Sequence, residues 1–184
     1  LEETRMASDQ SRKVEEFYRA FQQERYLPAP GSKPSLKAMG DSRVDLRMSL
    51  IVEEFCELIA AVYNEQAAQE MENTWWNLFG DHVITEENRN YDVVAAADAT
   101  GDLRYVIEGL DLEANIPSEA IFNEIHVSNM SKLDDEGNPV ISDGTSKPKG
   151  KILKGDNYFA PDLKAIIEGR TPDRTPVKSK KENA

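Results

Sequence analysis

The chain has 184 residues, 34 acidic against 22 basic side chains and a net charge of −12. That length suits one domain with its own core, and that sign disfavours non-specific binding to nucleic acid or to an anionic membrane. One cysteine, Cys56, excludes an internal disulfide, and no apolar run has signal-peptide or membrane-spanning length, which predicts a soluble, cytoplasmic protein.

Residues 1–10 are polar and read as a flexible N-terminus, ahead of a folded domain predicted over 11–168. Ser11 to Arg25 has Val14, Phe17, Tyr18 and Phe21 at helical spacing, with Ser11 as a cap. Residues 26–40 hold Pro28, Pro30, Gly31, Pro34 and Gly40, an extended connector. From Asp41 or Ser42 to about Gln69 the spacing predicts one long helix. Its stretch from Arg47 to Val62 carries Glu53, Glu54 and Glu57 through otherwise apolar sequence. At 100° per residue, Glu54 falls inside the apolar stripe, flanked by Leu58 and Ala61. Glu57 falls between Leu50 and Leu46, and Glu53 lies nearest a solvent face. Cys56 is expected to be a packed thiol. A carboxylate inside a buried stripe needs a cation, a metal or a proton. The plainer alternative is a solvated acidic face.

Residues 70–90 bring Trp75, Trp76, Leu78 and Phe79 together before Gly80. They fit either a plug at the end of a bundle or a platform for stacking a nucleobase. Tyr91 to Leu110 reads as a second helix, apolar nearly all round. Asp98 and Asp102, four residues apart, share one of its faces with Val94, Tyr105 and Gly109, while Arg104 and Glu108 point towards solvent. If the carboxylate faces of the two helices meet, four or five oxygen donors converge, a set suited to a hard cation such as Mg²⁺.

Pro117 to Met130 is a further helix, apolar along Ile121, Phe122, Ile125 and Met130. Residues 131–162 are turn-rich, with Asp134-Asp135-Glu136-Gly137-Asn138-Pro139, Asp143-Gly144, Gly150 and Gly155, and fit a short β-hairpin or an ordered loop. Residues 162–168 predict one last helix. Residues 169–184 hold Pro172, Pro176 and Lys178-Ser179-Lys180-Lys181 and read as a disordered basic tail. The predicted fold class is all-α: a bundle of about four core helices with a turn-rich C-terminal extension. Helices apolar on every side predict burial between subunits, hence a homodimer or homotetramer.

These residues together resemble the all-α nucleoside triphosphate pyrophosphohydrolases, the MazG-like superfamily. That group includes phosphoribosyl-ATP pyrophosphohydrolase and the dimeric dUTPase-type enzymes. Its E-x-x-E is matched by Glu54-Phe55-Cys56-Glu57, preceded by Glu53. Its later E/D-x-x-D is matched imperfectly: Ala99 stands three residues before Asp102, and the acid is Asp98, one position earlier. A D-x-x-x-D variant followed by a run like Leu103-Arg104-Tyr105-Val106 is similar. Ser128-Asn129-Met130-Ser131-Lys132 resembles the S-N-x-S-K that ends the last core helix in some members. The resemblance spans about Phe17 to Ile167, and the long interval from Glu57 to Asp98 implies an insertion containing Trp75 and Trp76.

The resemblance implies hydrolysis of a nucleoside triphosphate, a deoxynucleotide by analogy, between the α and β phosphates in nucleotide house-cleaning. It implies Mg²⁺, with Mn²⁺ able to substitute, on Glu54, Glu57, Asp98 and Asp102. Glu53 and Glu54 are the implied catalytic carboxylates, Glu53 orienting or deprotonating the attacking water. Tyr105, Asn129, Lys132, Lys154, Asn157 and Trp76 are the implied substrate contacts, with Lys151 beside Lys154. His126 fits the surface or an interface better than a ligand set. A di-iron carboxylate bundle wants Glu-x-x-His, and neither His82 nor His126 has an acid three residues earlier. The alternative of another kind is a non-catalytic acidic helical module that binds a basic partner.

Overall fold

Gly40 takes φ 79°, a left-handed conformation that a side chain disfavours, and the connector ends there as a long helix begins. The structure is a computed structural model that describes residues 8–142 and 152–177. Among the described residues it is all-α. The helices are α1 Asp9–Ala20, α2 Asp41–Val62, α3 Glu65–Gly80, α4 Val93–Glu113, α5 Ser118–Met130 and α6 Leu163–Ile167. None is long and apolar enough to cross a membrane. The chain divides into two compact units, Pro30–Asp102 and Leu1–Ala29 with Leu103–Ala184, so α4 passes from one into the other.

In the first of these units α2 and α3 form a helical hairpin. The single helix expected to reach Gln69 stops at Val62, because Asn64 is extended (φ −175°, ψ 164°) and its side chain accepts the Ala67 N–H at 2.9 Å. Small side chains let the two backbones approach: Cys56 and Ala68 are both buried. Trp75 donates its indole N–H to Ser49 at 3.4 Å and meets Phe79 edge-on at 5.4 Å. The aromatic segment therefore belongs to a regular helix, packed on α2 through Trp75.

After α3, Thr85 and Asn88 cap a 3-10 turn reciprocally. Arg89 then reaches back to the start of α2, donating to both Asp45 oxygens at 2.7 and 3.0 Å. The Tyr91 hydroxyl donates to Asp41. Asp92 accepts the Val94 and Ala95 N–H groups at 3.0 Å and starts α4.

In the other unit α1 packs on α5. Ser8, not Ser11, caps α1, accepting the Ser11 N–H at 3.1 Å. Phe17 and Phe21 stack at 4.2 Å, and Phe21 and Glu124 are the largest fully buried side chains among the described residues. Lys13 donates to Asn123 at 2.6 Å, and His126 lies 3.3 Å from Glu16, so His126 ties the two helices together. Beyond α5, where a short β-hairpin or an ordered loop was expected, the described residues form a loop with two isolated antiparallel bridges, Leu133 with Pro139 and Ile141 with Ile152. The Asp143-Gly144 and Gly150 turns and Lys151 lie outside the described residues.

The tail expected to be disordered from Gly169 is instead fastened as far as Val177. Asp162 caps α6 at Ala165 (3.1 Å) and also accepts the Asp173 N–H at 3.1 Å. Arg174 pairs with Glu124, and the Val177 N–H donates to the Tyr158 carbonyl at 2.8 Å. Specific partners on α5 and in the preceding loop hold a segment whose composition alone reads as unstructured.

Candidate active site

The three glutamates of α2 divide between two faces. Glu53 and Glu57 line a groove of about 270 Å³ with Glu65, Gln69 and Glu72 of α3, floored by Cys56, Ala60 and Ala68. Glu54 points the other way, along the stripe of Ile51, Phe55 and Leu58. That stripe was expected to be buried, but Phe55 is 50% exposed and Glu54 is exposed with it. The reason is that α3 settles against the small residues around Cys56 rather than on the broad apolar stripe. Desolvation, then the charges of Glu57 and Glu53, still hold the Glu54 carboxyl above its ordinary range.

Asp98, Asp102 and Tyr105 are exposed on α4, Tyr105 to 83%. Arg104 and Glu108 do not simply face solvent. They line an 840 Å³ groove with Val14, Ile107, Phe122 and Ile125, and Ser118 donates to Glu108 at 3.3 Å. Among the described residues no three His, Cys, Asp or Glu side chains are gathered closely enough to hold a metal ion. Asp98 and Asp102 are thus not brought into one cluster with Glu54 and Glu57. The donor chemistry on α2 nevertheless suits a hard divalent cation, because Glu53, Glu54 and Glu57 offer oxygens only, and burial first, then the charges of Glu57 and Glu53, disfavours ionisation of Glu54.

The substrate contacts expected near the end of α5 do come together. Lys132 donates to the Asn129 side chain at 2.7 Å, and Lys154 stands 4.3 Å over the Tyr158 ring. Burial first, then the charge of Lys154, lowers the Lys132 pKa. Asn157 donates to Asp135 at 2.6 Å and helps hold that loop. Trp76 is exposed on α3, 6.4 Å from Phe79 and tilted to it, so one indole face is open.

Several residues escaped the sequence reading. Glu65 and Glu72 join Glu53 and Glu57 because α3 folds back on α2, and the Asn64 cap just before Glu65 was the available signal. Ser128 and Ser131 were singled out in the S-N-x-S-K stretch, but their part in holding the loop that carries Lys154, through Phe159, was not read from it. Glu124 is buried on α5 and answered by Arg174, fifty residues later.

The sequence matches the family described as phosphoribosyl-ATP pyrophosphohydrolase over residues 14–129, more than half of the chain. Glu53, Glu54, Glu57, Asp98 and Asp102 all fall inside that match, whereas Lys132, Lys154 and Asn157 lie beyond it. No curated protein matches the chain. A solved structure from Exiguobacterium sp. 255-15, described as a "putative NTP pyrophosphohydrolase", is similar with a TM-score of 0.57 and 22% identity. The likeness covers 96% of this chain and 99% of that one, and at that identity it supports the all-α fold.

Proposed function

The chain belongs to the phosphoribosyl-ATP pyrophosphohydrolase family, among the all-α MazG-like nucleoside triphosphate pyrophosphohydrolases, and on that premise we propose that it hydrolyses a nucleoside triphosphate between the α and β phosphates. The products are the nucleoside monophosphate and pyrophosphate. The observation that carries this reading is the Glu53, Glu54 and Glu57 trio on α2, inside the family match, with Glu54 held above its ordinary pKa by burial first and then by the charges of Glu57 and Glu53.

Glu54, Glu57, Asp98 and Asp102 are the proposed Mg²⁺ ligands, with Mn²⁺ able to take its place. Bound Mg²⁺ would neutralise phosphate oxygens and make a bound water more acidic. Glu53, in its groove beside Glu57, orients the attacking water and accepts its proton. Lys132, Asn129 and Lys154 hold anionic oxygens, with Asn157 fixing their loop. Tyr105, whose hydroxyl is exposed, donates to substrate, and the open face of Trp76 stacks on the base.

Deoxynucleoside triphosphates are the proposed substrate class, removed from the cytoplasmic nucleotide pool. The acting species is a homodimer or homotetramer. Its support is the apolar surface left open on α4, where Val94 is 76% exposed and Val106 and Leu112 are also open. Magnesium at about 100 times its Kd should add about 2.7 kcal/mol of stability, and Glu57→Gln and Asp102→Asn should each lose most of it. A thermal shift no larger than that from sodium chloride would instead favour an acidic module that binds a basic partner.

A further inference from the structure

The start of α4 sets Asp98 and Asp102 out of step with the glutamates of α2. The Arg89 fork on Asp45 and the Tyr91 hydroxyl on Asp41 pin the residues before α4 to the first turns of α2. Both helices therefore begin at one clip. At the α-helical rise, Glu54 and Glu57 lie about 20 and 24 Å along α2 from Asp41, whereas Asp98 and Asp102 lie only about 9 and 15 Å along α4 from its capping Asp92. Were α4 laid alongside its own α2, the two carboxylate pairs would still be displaced by about 10 Å on average. One ion whose oxygens all stand about 2 Å away does not span that gap.

The same unit lacks a core of its own. From Pro30 to Asp102 the buried hydrophobic side chains are Cys56 and Ala68. The stripe of Ile51, Phe55 and Leu58 around Glu54 is open, and so is Val94, one turn before Asp98 on the same face of α4. Two faces of one chain thus carry one pattern, carboxylates set in exposed apolar surface. When the α4 of one copy lies on the α2 of another, both faces leave water, and a two-fold pair covers all four together. A helix supplied by a second chain is also free of the register that the clip imposes. Its Asp98 and Asp102, about 6 Å apart along the axis, then stand opposite Glu54 and Glu57, about 4.5 Å apart. We propose that the carboxylate site is shared between two copies, Glu54 and Glu57 of one chain meeting Asp98 and Asp102 of the partner subunit. The sharing deepens the proposed function and rests on it for the metal ion. A foreign partner would cover the apolar stripes without completing the ligand set.

The test is complementation between two variants of the full chain, one with Glu54→Gln and Glu57→Gln, the other with Asp98→Asn and Asp102→Asn. All four positions are exposed, and the changes remove charge but keep size. Co-expressed with different tags and purified through both, the mixed pair has one intact site if the ligands come from two chains, and none if they come from one. It should bind Mg²⁺ by calorimetry at about half the wild-type stoichiometry and turn over triphosphate at about half the wild-type rate, although each variant alone loses both. Mg²⁺ should also shift the sedimenting mass of wild type towards the dimer, because the ion offsets the repulsion between carboxylates of two chains. A mixed pair as inert as its parents, each folded by circular dichroism and dimeric, overturns the inference. A wild type that stays monomeric with Mg²⁺ overturns it as well. Mg²⁺ binding recovered in the mixed pair, with no triphosphate turnover in wild type, supports it while sinking the proposed reaction.

Discussion

Arg174 reaches from the C-terminal strap to the buried carboxylate of Glu124, donating from Nη2 at 2.9 Å and from Nε at 3.3 Å. Glu124 is 1% exposed, and its second oxygen accepts the Asp162 N–H at 3.3 Å. The pair fastens the strap over α5 and α6, and a buried carboxylate without its cation is strongly disfavoured. Arg174→Ala should cost about 1.5–3 kcal/mol in urea unfolding, the range for hydrogen bonds to a charged group. A loss below half a kcal/mol would mean that the strap is free in solution.

Arg89 plays the corresponding part in the other unit. Its side chain is 13% exposed and bidentate on Asp45, and its Nε lies 3.9 Å from Asp41. It joins the segment that leads into α4 to the first turn of α2. Arg89→Met leaves Asp45 facing an apolar chain and should destabilise by about 2–3 kcal/mol, less than a fully buried pair because Asp45 is a third exposed. Tyr91→Phe removes one hydrogen bond to Asp41 and should cost about 1 kcal/mol. Equal costs for the two would show that the Arg89 fork adds nothing beyond a single bond.

The helices other than α3, their order and the E-x-x-E on α2 were legible because period and composition are local. What was not legible was set at a distance. The α2 stripe reads as buried, yet its partner α3 chose the small-residue face around Cys56, and nothing local distinguishes those two faces. Asn64 ended α2 early through one side-chain bond, which apolar periodicity does not encode. The strap looked disordered because Gly169 to Val177 has no apolar pattern, while its anchors, Glu124, Asp162 and Tyr158, lie elsewhere in the chain.

Lys132 gives a pH test with a definite sign. Burial and Lys154 lower its pKa below 10.5, so between the folded value and 10.5 the unfolded chain binds more protons. The fold should gain stability as pH rises through that window. Pyrophosphate affinity should run the other way and fall as Lys132 loses its charge. Lys132→Arg stays charged throughout and should keep its affinity across the same range. An identical alkaline loss in both proteins would assign the effect to the anion or to another group.

The open apolar side of α4 predicts association. Val106 is exposed in the single chain, in the same helix as exposed Leu103, Ile107 and Leu110. If that face is covered by a second copy, Val106→Glu should shift the sedimenting mass towards the monomer and lower thermal stability. A monomeric wild type, or a mass untouched by the substitution, would contradict the proposed oligomer.

The most direct test of the account is the identity of the products from a panel of ribo- and deoxynucleoside triphosphates with Mg²⁺, comparing wild type, chelator and Glu54→Gln. The account predicts monophosphate and pyrophosphate in equal amounts, absent with chelator and lost in the variant. Release of single phosphate, or turnover unaffected by Glu54→Gln, would contradict it.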